Sequence, residues 1–285
     1  MLFGAYMFAT GYAIRPDDLA RLLEERGFES MWLPEHTHIP ANRRSPFPGG
    51  TDLPEEYWNT YDPFVALTAA AAATSNLKLG TGVCLVIERD PIMLAKEVAS
   101  LDQLSGGRFI FGIGGGWNVE EMENHGTRYR SRWRLLRERI LAMKEIWAND
   151  EPEFHGEFVD FDKMWSYPKP MQKPHPPIIM GGDGPTTFDR VVEYCDGWMP
   201  RLRFEAAIMG RTASSLPERI AMLKRQAEEA GRDPASISVS AFGARPDADW
   251  ISRMEAAGVD RVVFRLPSED RASVLPLIDQ CARLI

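Results

Sequence analysis

Short apolar runs alternate with amphipathic stretches along almost the whole chain. LFGAYMF (2–8) reads as a strand. The segment near 16–27 reads as a helix, because Leu19, Leu22 and Leu23 share a face and Gly27 marks its end. SMWLPE (30–35) is the second strand. A loop rich in proline and glycine covers 39–60, and a helix near 62–75 contains ALTAAAAAT. LKLGTGV (77–83) is the third strand and PIMLAKEVASLDQLS its helix, with Pro91 in the first turn, where a missing N–H breaks no helical bond. RFIFGI (108–113) is the fourth strand, and a helix near 130–148 follows it. PIIMGG (177–182), GWMPR, SISVSAF and DRVVFRL continue the strands, with helices near 185–195, 215–231 and 247–257 and a last one at the C-terminus.

Eight strand–helix pairs in 285 residues predict one closed parallel barrel, a (β/α)8 TIM barrel occupying 1–285 as a single domain. Residues 150–176 break the rhythm with prolines and aromatics and read as an inserted loop or hairpin. A doubly wound open sheet is the competing architecture. The barrel has a corollary, since chemistry collects at the C-terminal ends of barrel strands. Glu35 and His36 follow the second strand, and Gly82-Val83 closes the third. Gly114-Gly115-Gly116-Trp117-Asn118 follows the fourth, Gly181-Gly182-Asp183-Gly184 the fifth, and Arg201 and Arg203 the sixth.

Composition narrows the classes. With 44% hydrophobic and 26% charged residues and no low-complexity tract, the chain is an ordered globular protein. A net charge of −8, with no basic block longer than Arg43-Arg44, argues against a nucleic-acid surface, so an anionic ligand would need local cations. No basic leader precedes the first apolar run, and no run approaches the roughly 18 residues of a membrane span, which points to the cytoplasm and away from membranes. Cys84, Cys195 and Cys281 are odd in number and far apart, as befits reduced core thiols.

Three stretches carry candidate chemistry. FGIGGGWNVEE (111–121) fails as a dinucleotide fingerprint: Trp117 stands at the third glycine position, and the downstream window SRWRLLRER is helical and basic rather than ending in a ribose-binding acid. Its glycines mark close backbone approach to something. Trp117 and Asn118 offer a ring wall and a polar handle, while Glu120, Glu121 and Glu123 also suit a helix's first turn. Glu35-His36-Thr37-His38 admits three readings: a metal pair in a barrel hydrolase, a neutral histidine handling a proton, or histidines that tie down the long loop. Gly181-Gly182-Asp183-Gly184 before a helix is either a phosphate cradle or a tight turn, with Asp183 an electrostatic objection to phosphate unless it caps the helix.

Taken in order, WLPEHTHIP, LKLGTGVCLVIERDPIMLAKEVASLDQLSGGRFIFGIGGGWNVEEMENHG and PPIIMGGDGPTTFDRVVEYCDGWMP resemble the bacterial-luciferase-like family of flavin and deazaflavin oxidoreductases, and most of all its actinobacterial branch that uses coenzyme F420. The resemblance implies hydride transfer between F420 and an organic small-molecule substrate, with an FMN-dependent monooxygenase as the alternative. It implies a ring at the barrel mouth against a non-proline cis peptide at Gly82-Val83, and phosphate held by Gly181, Gly182 and Gly184 together with the loop after the fourth strand. It also implies Glu35 and His36 near ring and substrate, with His36 moving the substrate's proton, and a homodimer. One departure stands out: F420-dependent glucose-6-phosphate dehydrogenases use a glutamate as proton donor where this chain has Trp117. Arg43, Arg44, Arg201 and Arg203 are the expected source of positive field for the coenzyme's anionic tail. Tyr57, Trp58, Trp165 and Tyr167, from the long loop and the insert, are expected to line an aromatic pocket.

Overall fold

The computed structural model describes residues 1–50, 52–200 and 215–285. Eight parallel strands close on themselves: β1 (Leu2–Tyr6), β2 (Ser30–Leu33), β3 (Lys78–Thr81), β4 (Phe109–Ile113), β7 (Ile178–Gly181), β8 (Gly197–Met199), β9 (Ser238–Ala244) and β10 (Arg261–Arg265), with β10 paired to β1. Closure excludes the open sheet. β5 (Phe154–His155) and β6 (Asp160–Phe161) form a separate antiparallel hairpin inside the predicted insert.

Strand alternation sorts the core into two layers. Outward residues such as Met31, Phe109, Phe111 and Ile178 pack under the helices. Their sequence neighbours Trp32, Ile110 and Ile179 join Met199, Phe242 and Val263 in a second cluster that fills the barrel, with Tyr6 and Val83 against it. Trp32 dictates glycine around itself: a Cβ on Gly80 would lie 2.2 Å from its ring.

The helices start where the chain supplies caps. Asp62 and Asp90 accept from the second and third backbone N–H groups beyond them and precede Pro63 and Pro91, opening α3 (Pro63–Ala73) and α4 (Pro91–Leu104). α1 (Pro16–Glu25), α6 (Arg132–Ala148), α7 (Thr187–Tyr194), α8 (Leu216–Glu229), α9 (Ala248–Ala256) and α10 (Arg271–Ala282) complete the outer ring. Two short helices lie outside the ring, α2 (Glu56–Asn59), unforeseen in the long loop, and α5 (Val119–Asn124) after β4, whose first turn carries Glu120 and Glu121. All three cysteines are buried and free, and no helix among the described residues is long and apolar enough to cross a membrane.

Candidate active site at the barrel mouth

His36 leaves the end of β2 and is the centre of the mouth. Its Nδ1 lies 2.7 Å from Glu121 Oε2, and the Trp117 indole N–H donates to its Nε2 at 3.3 Å. Glu121 comes from α5, whose first turn is tied to the long loop: the Val119 N–H donates to Ser45 Oγ, and Glu120 accepts from the Arg44 and Ser45 N–H groups. The other Glu121 oxygen accepts from the Thr37 N–H at 3.1 Å, so this carboxylate fixes both the ring and the backbone beside it. An ionised carboxylate only accepts and an indole N–H only donates. The geometry therefore places the imidazole proton on Nδ1 and the lone pair on Nε2. Tyr57 packs 5.3 Å from the His36 ring and Phe47 lies 5.0 Å from Tyr57, while the Arg43 guanidinium covers the Trp117 face.

Glu35 is placed differently from its neighbour. Its buried carboxylate accepts from the Leu85 N–H and from Arg89 Nε, both at 2.6 Å, and Arg89 also bonds Asp62 and Glu97. Both oxygens are thus committed to holding the segment after β3 against the end of β2. The acidic partner of His36 is Glu121, not Glu35. The sequence suggests a first-turn helix residue or a ligand handle for Glu121; its bond to His36, 85 residues away, leaves no local signal.

His38 does not share His36's direction. Its Nδ1 meets Thr37 Oγ1 and its Nε2 meets the Asn124 side chain, while His125 Nε2 reaches the same Thr37 hydroxyl at 2.7 Å. Among the described residues no group of three or more His, Cys, Asp or Glu is arranged to hold a metal ion. The metal-hydrolase alternative lacks its ligand set.

The glycines have a packing task. The Gly82-Val83 peptide is cis. A Cβ on Gly114 would fall 2.5 Å from the Val83 side chain and one on Gly181 2.7 Å from it, so these two glycines on neighbouring strands make the slot that Val83 occupies. Gly115 makes room for Trp133 and Gly116, at φ +63°, for Met122. The stretch after β4 is glycine-rich because protein side chains approach it. Gly182, at φ +130°, and Gly184 differ, since an added Cβ would meet nothing closer than Thr187 Oγ1 at 3.9 and 3.7 Å.

That open turn leads into α7, and Asp183 beside it does not cap the helix. Its Oδ1 pairs with Arg219 of α8 at 3.0 Å, which offsets the charge that argued against an anion. Two arginines come from the helices that precede and follow β7. Arg190 of α7 lies 3.9 Å from the centroid of the Trp133 ring and Arg132, the first residue of α6, 5.0 Å from it. Among the described residues neither has a carboxylate partner: Arg132 donates to the Tyr129 carbonyl and Arg190 to the Thr186 hydroxyl. Burial lowers both below the usual guanidinium range, and the Arg132 charge further disfavours that of Arg190. The Arg132 Nε and both polar atoms of the buried Asn118 side chain lack partners.

Of the arginines expected here, Arg43 covers Trp117 and Arg44 pairs with Glu120. Arg201 and Arg203 lie outside the described residues. The basic window SRWRLLRER was the available signal for Arg132. Arg190 gave none. Of the aromatic residues expected to line a pocket, Tyr57 packs against His36 and Trp117. Trp58 and Trp165 are exposed, and the Tyr167 hydroxyl donates to Asp150 beyond the C-terminal end of α6, which is the opposite end of the barrel.

The closed (β/α)8 barrel carries a carboxylate-bound histidine and a cis peptide at its mouth, with an arginine pair that has no carboxylate partner among the described residues. Residues 15–245 match the luciferase-like monooxygenase family, and the chain belongs to it. The chain is 36% identical to an uncharacterized protein of Mycobacterium tuberculosis over 99% of this chain and 98% of that one. Its fold resembles the monooxygenase RslO1 of Streptomyces bottropensis, with a TM-score of 0.81 and 19% identity over 100% of this chain and 98% of that one. An F420-dependent secondary alcohol dehydrogenase, in complex with an F420–acetone adduct, gives 0.74 and 20% over the same shares.

Proposed function

We propose that the protein is an oxidoreductase that moves a hydride between coenzyme F420 and a small organic substrate at the barrel mouth. The observation that carries this reading is the His36 ring, held between Glu121 and Trp117 with its lone pair on Nε2. Oxidising an alcohol requires a base for the hydroxyl proton, and reducing a carbonyl requires the same proton back. A histidine backed by a carboxylate serves both directions, because Glu121 stabilises the imidazolium that forms when Nε2 accepts a proton. Trp117 must yield its hydrogen bond to the substrate oxygen as that happens.

The mouth fits an anionic, ring-bearing cofactor. Arg132, Arg190 and the open turn Gly182–Gly184 would hold the phosphate arm, through guanidinium hydrogen bonds and the positive end of α7. Asn118 brings unpartnered donor and acceptor atoms from the end of β4, and Val83 presents the wall against which a ring would rest. When bound, F420 supplies the carbon that takes or gives the hydride. The protein's share is to bind the arm, exclude water beneath the long loop and move the proton at His36 Nε2.

FMN is the competing occupant, since the same arginine pair would take a ribityl phosphate, and it would restore oxygenase chemistry. Titration with F420 and separately with FMN, read by tryptophan fluorescence, decides between them. Tighter F420 binding is the expected outcome, and tighter FMN binding would reject the proposal.

A further inference from the structure

Glu88 is a buried acid that the reading above leaves unused. It ends the short turn Val86–Glu88 that follows β3, its side chain is 1% exposed, and neither carboxyl oxygen has a hydrogen-bond partner. Charged or titratable groups reach it from several elements. Glu35 approaches from the end of β2 and Glu121 from α5, and His125 Nε2 lies 3.9 Å from Glu88 Oε2. Arg139 of α6 donates to the Val86 carbonyl of the same turn, and the Thr127 hydroxyl donates to the Ile87 carbonyl, which closes the segment 125–127 over it. Arg89, the next residue along, is already shared among Glu35, Asp62 and Glu97.

A carboxylate without donors in such a place is costly, whereas the neutral acid is not. Burial first, and then the charges of Glu121 and Glu35, push the Glu88 carboxyl up to about 9. At neutral pH it keeps its proton.

We propose that Glu88 is a positioning residue for His36: buried without a hydrogen-bond donor and beside His125, it leaves Glu121 free of a second negative charge and so preserves the Glu121–His36 hydrogen bond. This rests on the proton-handling role given to His36. Once Glu88 ionises, its charge joins those of Glu121 and Glu35, and the bond that orients the imidazole is disturbed.

Ring-nitrogen NMR of the histidine-labelled protein, without cofactor or substrate, tests this between pH 6 and 10, with His36→Gln identifying the His36 signals. The wild-type His36 resonances should show an inflection near pH 9, where Glu88 loses its proton. Glu88→Gln, which mimics the neutral acid, should keep the neutral-pH spectrum and lose the inflection. No inflection in the wild type, or one that persists in Glu88→Gln, overturns the proposal. The wild-type titration decides even if the variant does not fold. Failure here leaves F420 binding untouched, and absence of F420 binding would leave the inflection in place.

Discussion

Trp117 and His36, 81 residues apart in the chain, meet through one hydrogen bond in which the indole N–H donates to Nε2. Together with the Glu121 contact on Nδ1 this settles which nitrogen is available for chemistry. Replacing His36 by alanine removes the proposed proton carrier and leaves the proposed anion-binding arginines in place. Turnover should fall by roughly 10²–10⁴, the usual worth of a general acid–base group, while cofactor affinity changes little. Parallel measurement of kcat and cofactor Kd checks it, and an equal loss in both would make His36 a binding residue.

Arg132 and Arg190 face each other across Trp133 without a carboxylate to balance them among the described residues. Hydrogen bonds to a charged partner are worth about 1.5–3 kcal/mol, so Arg132→Ala or Arg190→Ala should weaken cofactor binding by roughly 10- to 100-fold. The dependence of affinity on salt should flatten in either variant, because one cationic contact has gone. Fluorescence titrations at two ionic strengths measure both. Wild-type salt dependence in the double variant would show that the positive field comes from elsewhere.

The Val83 slot makes a stability prediction independent of ligand. Gly114→Ala puts a methyl 2.5 Å from a Val83 methyl. Valine is stiff at χ1 and the neighbouring strands are fixed, so the overlap should cost about 1–3 kcal/mol. A drop of several degrees in Tm is expected for Gly114→Ala, with partial recovery when Val83→Ala is added, because the second change removes the atoms in conflict. Strict additivity of the two changes in thermal unfolding would mean that the residues do not compete for that space.

The barrel was readable because its signals are local: strand-length apolar runs and helix faces recur along the chain, with Pro91 marking one helix start. His36 at the end of β2 followed from the same logic. The partners that give it chemistry did not. Glu121 and Trp117 reach it from after β4, and Glu120 and Ser45 lock α5 to the long loop, contacts that span more than 70 residues and leave no periodic trace. The glycines are ambiguous for a related reason: a glycine vacating space for Val83 or Trp133 looks, in sequence, the same as one vacating space for a phosphate. Arg190 was invisible because one arginine on a helix gains meaning only from what stands beside it.

Glu29 and Arg261 predict the protein's acid behaviour. The Arg261 guanidinium donates to both Glu29 oxygens at 2.8 and 2.7 Å, tying β10 to the residue that precedes β2. Burial raises the Glu29 carboxyl, but the Arg261 hydrogen bonds and charge outweigh it and hold it at about 2, against 4.5 for a free glutamate. A carboxyl depressed in the folded state stabilises the fold fully above the unfolded value and progressively less below it. Its contribution of about 3 kcal/mol, from roughly 1.4 kcal/mol per unit, should therefore be present at neutral pH and lost as the pH falls from 4.5 towards 2. Glu29→Gln should lower Tm at pH 7 and flatten the decline across that window. Thermal unfolding of both proteins at intervals from pH 7 to 2.5 measures the slopes, and parallel curves would show that the pair does not govern acid stability.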